Sequence, residues 1–538
     1  MGFSPESTPV GAVPNLEETS GKIWTPLYSH NCSFPPEIFR QVMLNLIRNP
    51  NINSNHLFRA DISLDRPSDD AFLDTSDIPA RITHFTNFDL KTIMVRTMIP
   101  RNMLVDKPLD QTCLFHHQEK DSGEIHSLVT YLPHILKASE SPFYHPAVHG
   151  IGFLHTFQPS TNEGTISIHY RFFESEPRSK KLERTAQHLL AVLYKHGQGC
   201  ASGYVKRVHH DLILPQATVQ NTYSRLKAKY ARKLVEGWVE ATDPAKHVFE
   251  DLGIAAFLIE LWAEMFKEQD FPGFVDIGCG NGLLVHVLLE EGYTGWGFDA
   301  RKRKSWSTFS QKAQNNLREM VLIPSILSTN SSLIQTSHHS PTQSKAQGDS
   351  SSHPLPALLE TLNLNSTTKE IHDVGIQHDQ PPETLNPNNT TKEIHDLGIQ
   401  DGRFPKGTFI ISNHADELTP WTPILATLSE CPFMMIPCCS HALSGARFRA
   451  PSTNSSGPPS SAYASLVAWV AKLATDCGWD VEKEMLRIPS TRKCALIGRR
   501  RIEPFDSIDA LTLIKANGGA AGWEESALKL VKGATRGH

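Results

Sequence analysis

The chain has 538 residues, 39% of them hydrophobic, and a net charge of −5. That length gives room for about two to four domains with real cores, and the weak negative charge excludes a chain that is basic all over, so any nucleic-acid surface has to be local. No stretch approaches the roughly 20 uninterrupted apolar residues of a membrane helix. Met1-Gly-Phe-Ser-Pro-Glu6 is neither a signal peptide nor a myristoylation site, and nine cysteines without a Cys-x-x-Cys pair read as reduced thiols, so a soluble intracellular protein is expected.

Residues 1–80 mix Pro, Ser and Asn with short apolar pieces such as Ile38–Ile47, and are expected to be partly disordered, above all the first twenty. Alternating runs at Leu90–Met98, Ile125–Leu132, Ile151–Phe157 and Thr165–Phe173 predict strands, and Arg184–Lys195 predicts a helix that closes their sheet. Residues 81–203 are therefore read as an N-terminal α+β domain.

Residues 204–270 read as a helical connector. Val219, Tyr223, Leu226, Tyr230, Leu234 and Trp238 recur every three or four positions and face a core. Lys206 and Arg207, with Arg225 and Lys229 on another face of the helix, make either a solvated face or a surface that tracks phosphates. A second helix starts at Asp243-Pro244, with Asp as cap and Pro in the first turn, and runs through Ile259 and Trp262.

The chain is organised around Phe274-Val-Asp-Ile-Gly-Cys-Gly-Asn-Gly282, within residues 271–324: an apolar strand, a glycine turn, and the start of an apolar helix at Leu283–Glu290. Gly278, Gly280 and Gly282 let the backbone bend and let a ligand approach the main chain at Cys279 and Asn281. Seventeen residues on, the strand-like Tyr293–Phe298 ends in Asp299, placed to accept the hydroxyls of an adenosine ribose. A dinucleotide fingerprint would put its third glycine at 283, which is Leu283, and the acid at Asp276 suits the cationic amino-acid end of S-adenosylmethionine, which has no pyrophosphate. The spacing thus favours that donor over NAD or FAD. Arg301, Lys302, Arg303 and Lys304 follow at the carboxyl rim, where they face either solvent or a nucleic acid, and Trp306 stacks a base or packs.

Residues 325–402 form a Ser-, Thr-, Asn- and Gln-rich insert in which Glu360–Gln377 recurs 23 residues later as Glu383–Gln400, identical at 15 of 18 positions. Two copies are too few for a solenoid, so the repeat reads as a duplication within a loop. The fold resumes over residues 403–505. The strand Gly407–Ser412 ends in Asn413, His414, Asp416 and Glu417, beside the donor's methyl group; Phe433–Pro437 ends on the same rim at Cys438 and Cys439. Adjacent cysteines rarely share a tetrahedral site without a second pair, and no metal is expected. Ala462–Ala474 reads as a helix, Lys493–Ile497 as a late antiparallel strand, and residues 506–538 as a tail, helical around Glu524–Val531. The order fits an α/β, doubly wound sheet.

Together, Phe274–Gly282, the Gly295–Trp306 run, Ser412-Asn-His-Ala-Asp-Glu-Leu-Thr-Pro-Trp421 and Ile436-Pro-Cys-Cys-Ser-His441 resemble the tRNA (uracil-2′-O-)-methyltransferase family of fungi and animals. Lys206–Ile213, Asp243–Trp262, Tyr131–His134 and Ile488–Thr491 are similar too, so the resemblance spans about residues 80 to 505 apart from the insert. It implies a Rossmann-like class I S-adenosylmethionine-dependent methyltransferase that modifies the ribose 2′-hydroxyl of the uridine between anticodon stem and variable arm (position 44) of serine tRNA, in the cytoplasm. The insert departs from the family pattern and leaves the third strand hard to place.

For an in-line methyl transfer, orientation supplies most of the catalysis, with a carboxylate or imidazole to take the hydroxyl proton. Asp416 is the first candidate and His414 the second, while Asn413 holds the methionine end or the ribose, and Glu417 acts there or caps the next turn. Cys439 is read as a small lining residue. The other readings are a protein or small-molecule methyltransferase, and an idle RNA-binding module that keeps the fold; the local cations favour RNA.

Overall fold

In a computed structural model, the structure describes residues 2–69, 78–103, 105–174, 178–204, 209–327, 398–451 and 461–532. The chain divides into two compact units, Met1–Val208 and His209–His538.

The first unit holds β1 (Glu6–Ser7), β2 (Thr25–Cys32), α1 (Pro36–Arg48), β3 (Leu57–Pro67), β4 (Asp89–Pro100), β5 (Leu109–Glu119), β6 (Ile125–Pro133), β7 (Gly150–Gln158), β8 (Glu163–Arg171) and α2 (Lys180–Ala201). One antiparallel sheet runs β1-β2-β8-β7-β6-β5-β4-β3. Phe39, Val42, Met43, Leu46 and Ile47 of α1 join Leu182, Ala186, Leu189, Leu190 and Leu193 of α2 in one core over the sheet, the apolar stripe that helical periodicity demands. The expectation of a partly disordered segment over residues 1–80 is corrected: β1, β2, α1 and β3 lie there, and Trp24 is fully buried. The apolar piece Ile38–Ile47 is the buried face of α1, with Pro36 in its first turn.

The second unit starts with α3 (Gln216–Glu236) and α4 (Pro244–Met265), the latter capped by Asp243, whose side chain accepts from the Ala245 and Lys246 N–H groups. There follow β9 (Phe274–Ile277), α5 (Leu283–Glu290), β10 (Gly295–Asp299), α6 (Gln311–Asn315), β11 (Leu317–Leu322), β12 (Gly398–Gln400), β13 (Phe409–Asn413), α7 (Thr422–Leu428), β14 (Phe433–Ile436), α8 (Ala462–Asp476), β15 (Trp479–Met485), β16 (Cys494–Arg501), α9 (Ala510–Ala516) and α10 (Trp523–Lys532). The sheet order is β12-β11-β10-β9-β13-β14-β16-β15, parallel except at β16, which is antiparallel to both neighbours. Strand order reverses between β9, β10 and β13, the switch point where ligands bind in open sheets.

The third strand is β11, and the end of the second repeat copy, Gly398–Gln400, adds β12 beside it; the first copy and the rest of the repeat lie outside the described residues. Residues 506–538 are not merely a tail. Ala510, Ile514, Trp523 and Ala527 enter the core, and the Trp523 indole donates to the Leu322 carbonyl at 2.9 Å. Among the described residues no helix is long and apolar enough to cross a membrane.

Candidate active site

The strand β9 is buried at every residue, as a central parallel strand must be, and it delivers Asp276 and the glycine turn to the switch point. Gly278 and Gly282 take φ of 71° and 72°, which L side chains rarely adopt. A Cβ on Gly282 would stand 2.9 Å from Leu317 and 3.0 Å from the Trp306 indole nitrogen. Trp306 is buried and donates to the Gly280 carbonyl at 3.0 Å, so it packs beneath the loop instead of offering a stacking face. Ser305 Oγ donates to the Asn281 carbonyl at 2.7 Å. The Asp299 carboxylate accepts the Gly280 N–H at 3.0 Å and the Arg301 N–H at 3.2 Å. That network fixes the loop from below, while a Cβ on Gly280 would meet nothing within 4 Å, leaving open space above it.

Beneath the loop lies an acidic floor. Asp276 is 1% exposed and its Oδ1 makes no hydrogen bond within the described structure. Burial pushes its carboxyl well above the ordinary range, with the charges of Asp251 and Asp299 adding to the effect. Asp251, on α4, is pushed up to about 8 by burial and by Glu250, against hydrogen bonds from Asn413 and Asn281. Asn413 Nδ2 reaches Asp251 Oδ1 at 3.2 Å, and His414 Nε2 lies 2.9 Å from Glu250 Oε1. Burial raises the Glu250 carboxyl, but His414, Ser490 and Lys246 outweigh it and hold the group below its ordinary value.

Past β13 the backbone is strained, with φ of 52° at His414 and 43° at Asp416, a conformation that costs a non-glycine residue of order 1–3 kcal/mol and collects at functional sites. Parallel register pairs Asn413 with Ile436, so the residues beyond both strands share one rim. There Cys438 Sγ donates to Asp416 Oδ1 at 3.0 Å. A hydrogen bond with Cys439, burial and the Asp416 charge hold the Cys438 thiol above its usual range. Cys439 also hydrogen-bonds Asp416 and Cys438 and so is more than an apolar lining residue. Glu417 faces His441 at 3.6 Å.

The structure therefore brings together Asp276, Gly278, Cys279, Gly280, Asn281, Gly282, Asp299 and Asn413 around the loop, with His414, Asp416 and Glu417 beside them. The cations divide differently. Arg225 and Lys229 are both tied to Glu291, at 2.5 and 2.9 Å, and Arg303 lies 3.8 Å from Asp299, so these three are already engaged within the unit. Lys302 and Lys304 are exposed and Arg301 is half-buried. Lys206 and Arg207 lie outside the described residues.

Two residues of the floor, Glu250 and Asp251, are not among the sequence-predicted candidates. Their signal was a pair of adjacent acids inside an otherwise apolar stretch of the helix, Val248–Ile259, where a charge has no place unless something pairs with it.

The orphaned carboxylate oxygen of Asp276 and the open face of Gly280 fit the cationic amino-acid end and the close main-chain approach of S-adenosylmethionine. Sheet order and site together define the class, a Rossmann-like S-adenosylmethionine-dependent methyltransferase. Residues 213–324 match the family model "Predicted AdoMet-dependent methyltransferase", and residues 5–207 match "TRM44-like, N-terminal bet v1-like domain". The chain is 48% identical to the tRNA (uracil-O(2)-)-methyltransferase of Neurospora crassa over 98% of both chains. It is 38% identical to the Schizosaccharomyces pombe protein of that name (96% of this chain, 94% of the relative) and 35% to that of Saccharomyces cerevisiae (98% and 96%). The chain belongs to the tRNA (uracil-O(2)-)-methyltransferase family.

Proposed function

We propose that this protein methylates the ribose 2′-oxygen of a uridine in tRNA, the uridine at position 44 of serine tRNA, in the cytoplasm. The observation that carries the reading is the buried acidic floor under an open glycine loop, one strand away from a strained, half-buried rim of Asn413, His414 and Asp416. The names of the relatives support tRNA as substrate; serine specificity and the cytoplasm rest on the family resemblance.

When bound, S-adenosylmethionine supplies an electrophilic methyl group on a sulfonium. Asp276, with Asp251, holds the ammonium of the amino-acid end, and Asp299 accepts from the ribose with the lone pairs its two backbone partners leave. Asn413 bridges floor and rim through Asp251. Asp416 accepts the proton of the attacking 2′-hydroxyl at its carboxylate, and Glu250 fixes the His414 ring beside it. Most of the acceleration comes from holding the hydroxyl in line. Exposed Lys302 and Lys304 steer phosphates toward the rim, so tRNA affinity falls with salt.

The test is methyl transfer from radiolabelled S-adenosylmethionine into total tRNA from a strain that lacks the enzyme, followed by alkaline hydrolysis. A 2′-O-methyl group removes the nucleophile that alkali needs, so label in an alkali-resistant dinucleotide that begins with uridine supports the reading. Label released as a mononucleotide places the methyl on a base and rejects ribose as acceptor, and no label at all favours the idle RNA-binding module.

A further inference from the structure

We propose that Asp416, Cys438 and Cys439 form a three-donor site for a thiophilic divalent cation of the zinc class. One carboxylate oxygen and two sulfurs, from residues just past β13 and β14, all lie within 4.8 Å of one another, and Cys438 Sγ and Asp416 Oδ1 are 3.0 Å apart. Around a tetrahedral zinc ion with bonds of roughly 2.0–2.3 Å, ligand atoms stand roughly 3.3–3.8 Å apart, a spacing these donors bracket. Among the described residues no other group of His, Cys, Asp or Glu gathers three donors so closely.

The sheet sets the donors in place before any ion arrives. The pairing of Asn413 with Ile436 puts the two chain segments side by side, and the left-handed backbone at Asp416 belongs to the same turn. Two thiolates and one carboxylate are too soft a set for magnesium or calcium, which take oxygen ligands, and suit a d¹⁰ ion. Three protein ligands leave a fourth position open, and all three residues are half-buried, so an ion has a way in.

Without an ion the thiol protons fill this space. Cys438 gives its S–H to Asp416, and Cys439 hydrogen-bonds both. Binding exchanges protons for metal: one divalent cation and two thiols give two sulfur–metal bonds and about two protons to solvent. The competing account, a closed hydrogen-bonded trio, has the same geometry and no affinity for the ion.

The test uses the full-length chain, reduced with a phosphine and stripped with a chelator. Titration with cadmium is expected to give a thiolate-to-cadmium charge-transfer band that saturates at one equivalent, and zinc calorimetry in two buffers reads the proton release. Asp416→Asn and Cys439→Ser should each weaken binding by at least about tenfold, the low end of what even an outer-shell loss costs, while Cys200→Ser leaves it unchanged. Retained S-adenosylmethionine affinity shows that each variant is folded. No band in folded protein, or undiminished affinity in the Cys438→Ser/Cys439→Ser double variant, overturns the site.

A second arm rests on the proposed function. If Asp416 takes the hydroxyl proton, bound zinc slows methyl transfer and a chelator restores it. Full occupancy with transfer unchanged leaves the metal site standing and removes Asp416 from the proposed proton transfer.

Discussion

Asn413 Nδ2 donates to Asp251 Oδ1 at 3.2 Å, which ties the rim of β13 to the acidic face of α4. Burial is the main reason the Asp251 carboxyl rises to about 8, so below that pH the donor-free protein keeps it protonated. An incoming ammonium prefers the carboxylate, so donor binding expels a proton and affinity rises with pH toward 8, by up to about tenfold per pH unit. In the donor-free protein a raised folded value has the opposite consequence for stability. Its contribution is complete below the unfolded value near 3.8 and is lost as pH rises through about 8. Calorimetry of S-adenosylmethionine binding from pH 6 to 8 is expected to show the slope in the native protein and a shallower one in Asp251→Asn, where Asp276 is the floor carboxyl that still exchanges a proton; parallel profiles would exclude Asp251 from the donor's floor.

In the proposed function Asp299 has two duties, and a substitution separates them. Its oxygens take the Gly280 and Arg301 N–H groups and leave lone pairs for a sugar. In Asp299→Ala the donor loses at least one charge-assisted hydrogen bond worth about 1.5–3 kcal/mol, so affinity should fall by at least roughly 10–150-fold, with faster amide exchange at Gly280. Loosening of the loop with unchanged affinity would leave Asp299 as a loop anchor alone.

The glycine loop, Asp299 and the β13 rim were legible because strand, turn and charge stand together in sequence. Glu250 and Asp251 were not: α4 reads as one apolar helix, and their partners at 413 and 414 lie more than 160 residues away. Strand β5 is buried at most positions and loses the alternation that marks a strand, whereas β15 carries Asp480, Glu482, Lys483 and Glu484, and reads as surface. The cations of α3 pointed to RNA because periodicity gives a face but not the partner on it, here Glu291. Chain order likewise hides that Asp416 and the two cysteines share one cluster.

Two neighbouring glycines should fail in different ways. Alanine at 282 combines φ of 72° with a Cβ driven into Leu317 and Trp306, so it should cost about 1–3 kcal/mol of stability and lower the melting temperature. Alanine at 280 meets open space, at φ of 52°, and in the proposed function its methyl group stands where the donor approaches. Gly280→Ala should fold with a smaller loss and bind S-adenosylmethionine markedly more weakly. Equal stability losses and equal affinities in the two variants would contradict this division of the loop.

The N-terminal unit carries its own pH dependence. His116, His155 and His169 are nearly inaccessible, and burial is the main cause that lowers them to about 4, 4 and 3. With folded values below the unfolded 6.5, these rings are neutral in the fold and charge on unfolding. Stability is therefore intact above about 6.5 and falls as acid protonates the unfolded chain, by roughly 2 kcal/mol per histidine at pH 5. Thermal unfolding of the full chain, followed by exchange at amides of the first sheet, should show that sheet weakening between pH 7 and 5. His155→Gln should reduce the dependence, and a pH-independent first sheet would show that these rings stay accessible to protons.

Asp416→Ala tests the chemistry most directly, provided a chelator is present so that no metal confuses the reading. The substitution removes the acceptor of the Cys438 thiol and leaves the glycine loop, Asp276 and Asp299 untouched. S-adenosylmethionine affinity should stay within about twofold, while single-turnover transfer falls by roughly 10²–10⁴-fold, the usual worth of a positioned general base. Raising the pH should recover part of the rate, because hydroxide then replaces the lost proton acceptor. His414→Ala should behave differently: it strands the buried Glu250 carboxylate, 5% exposed, without its main partner, so stability drops with activity. If Asp416→Ala transfers methyl groups at the native rate while His414→Ala does not, the proton goes to the imidazole and Asp416 serves only to place the cysteines.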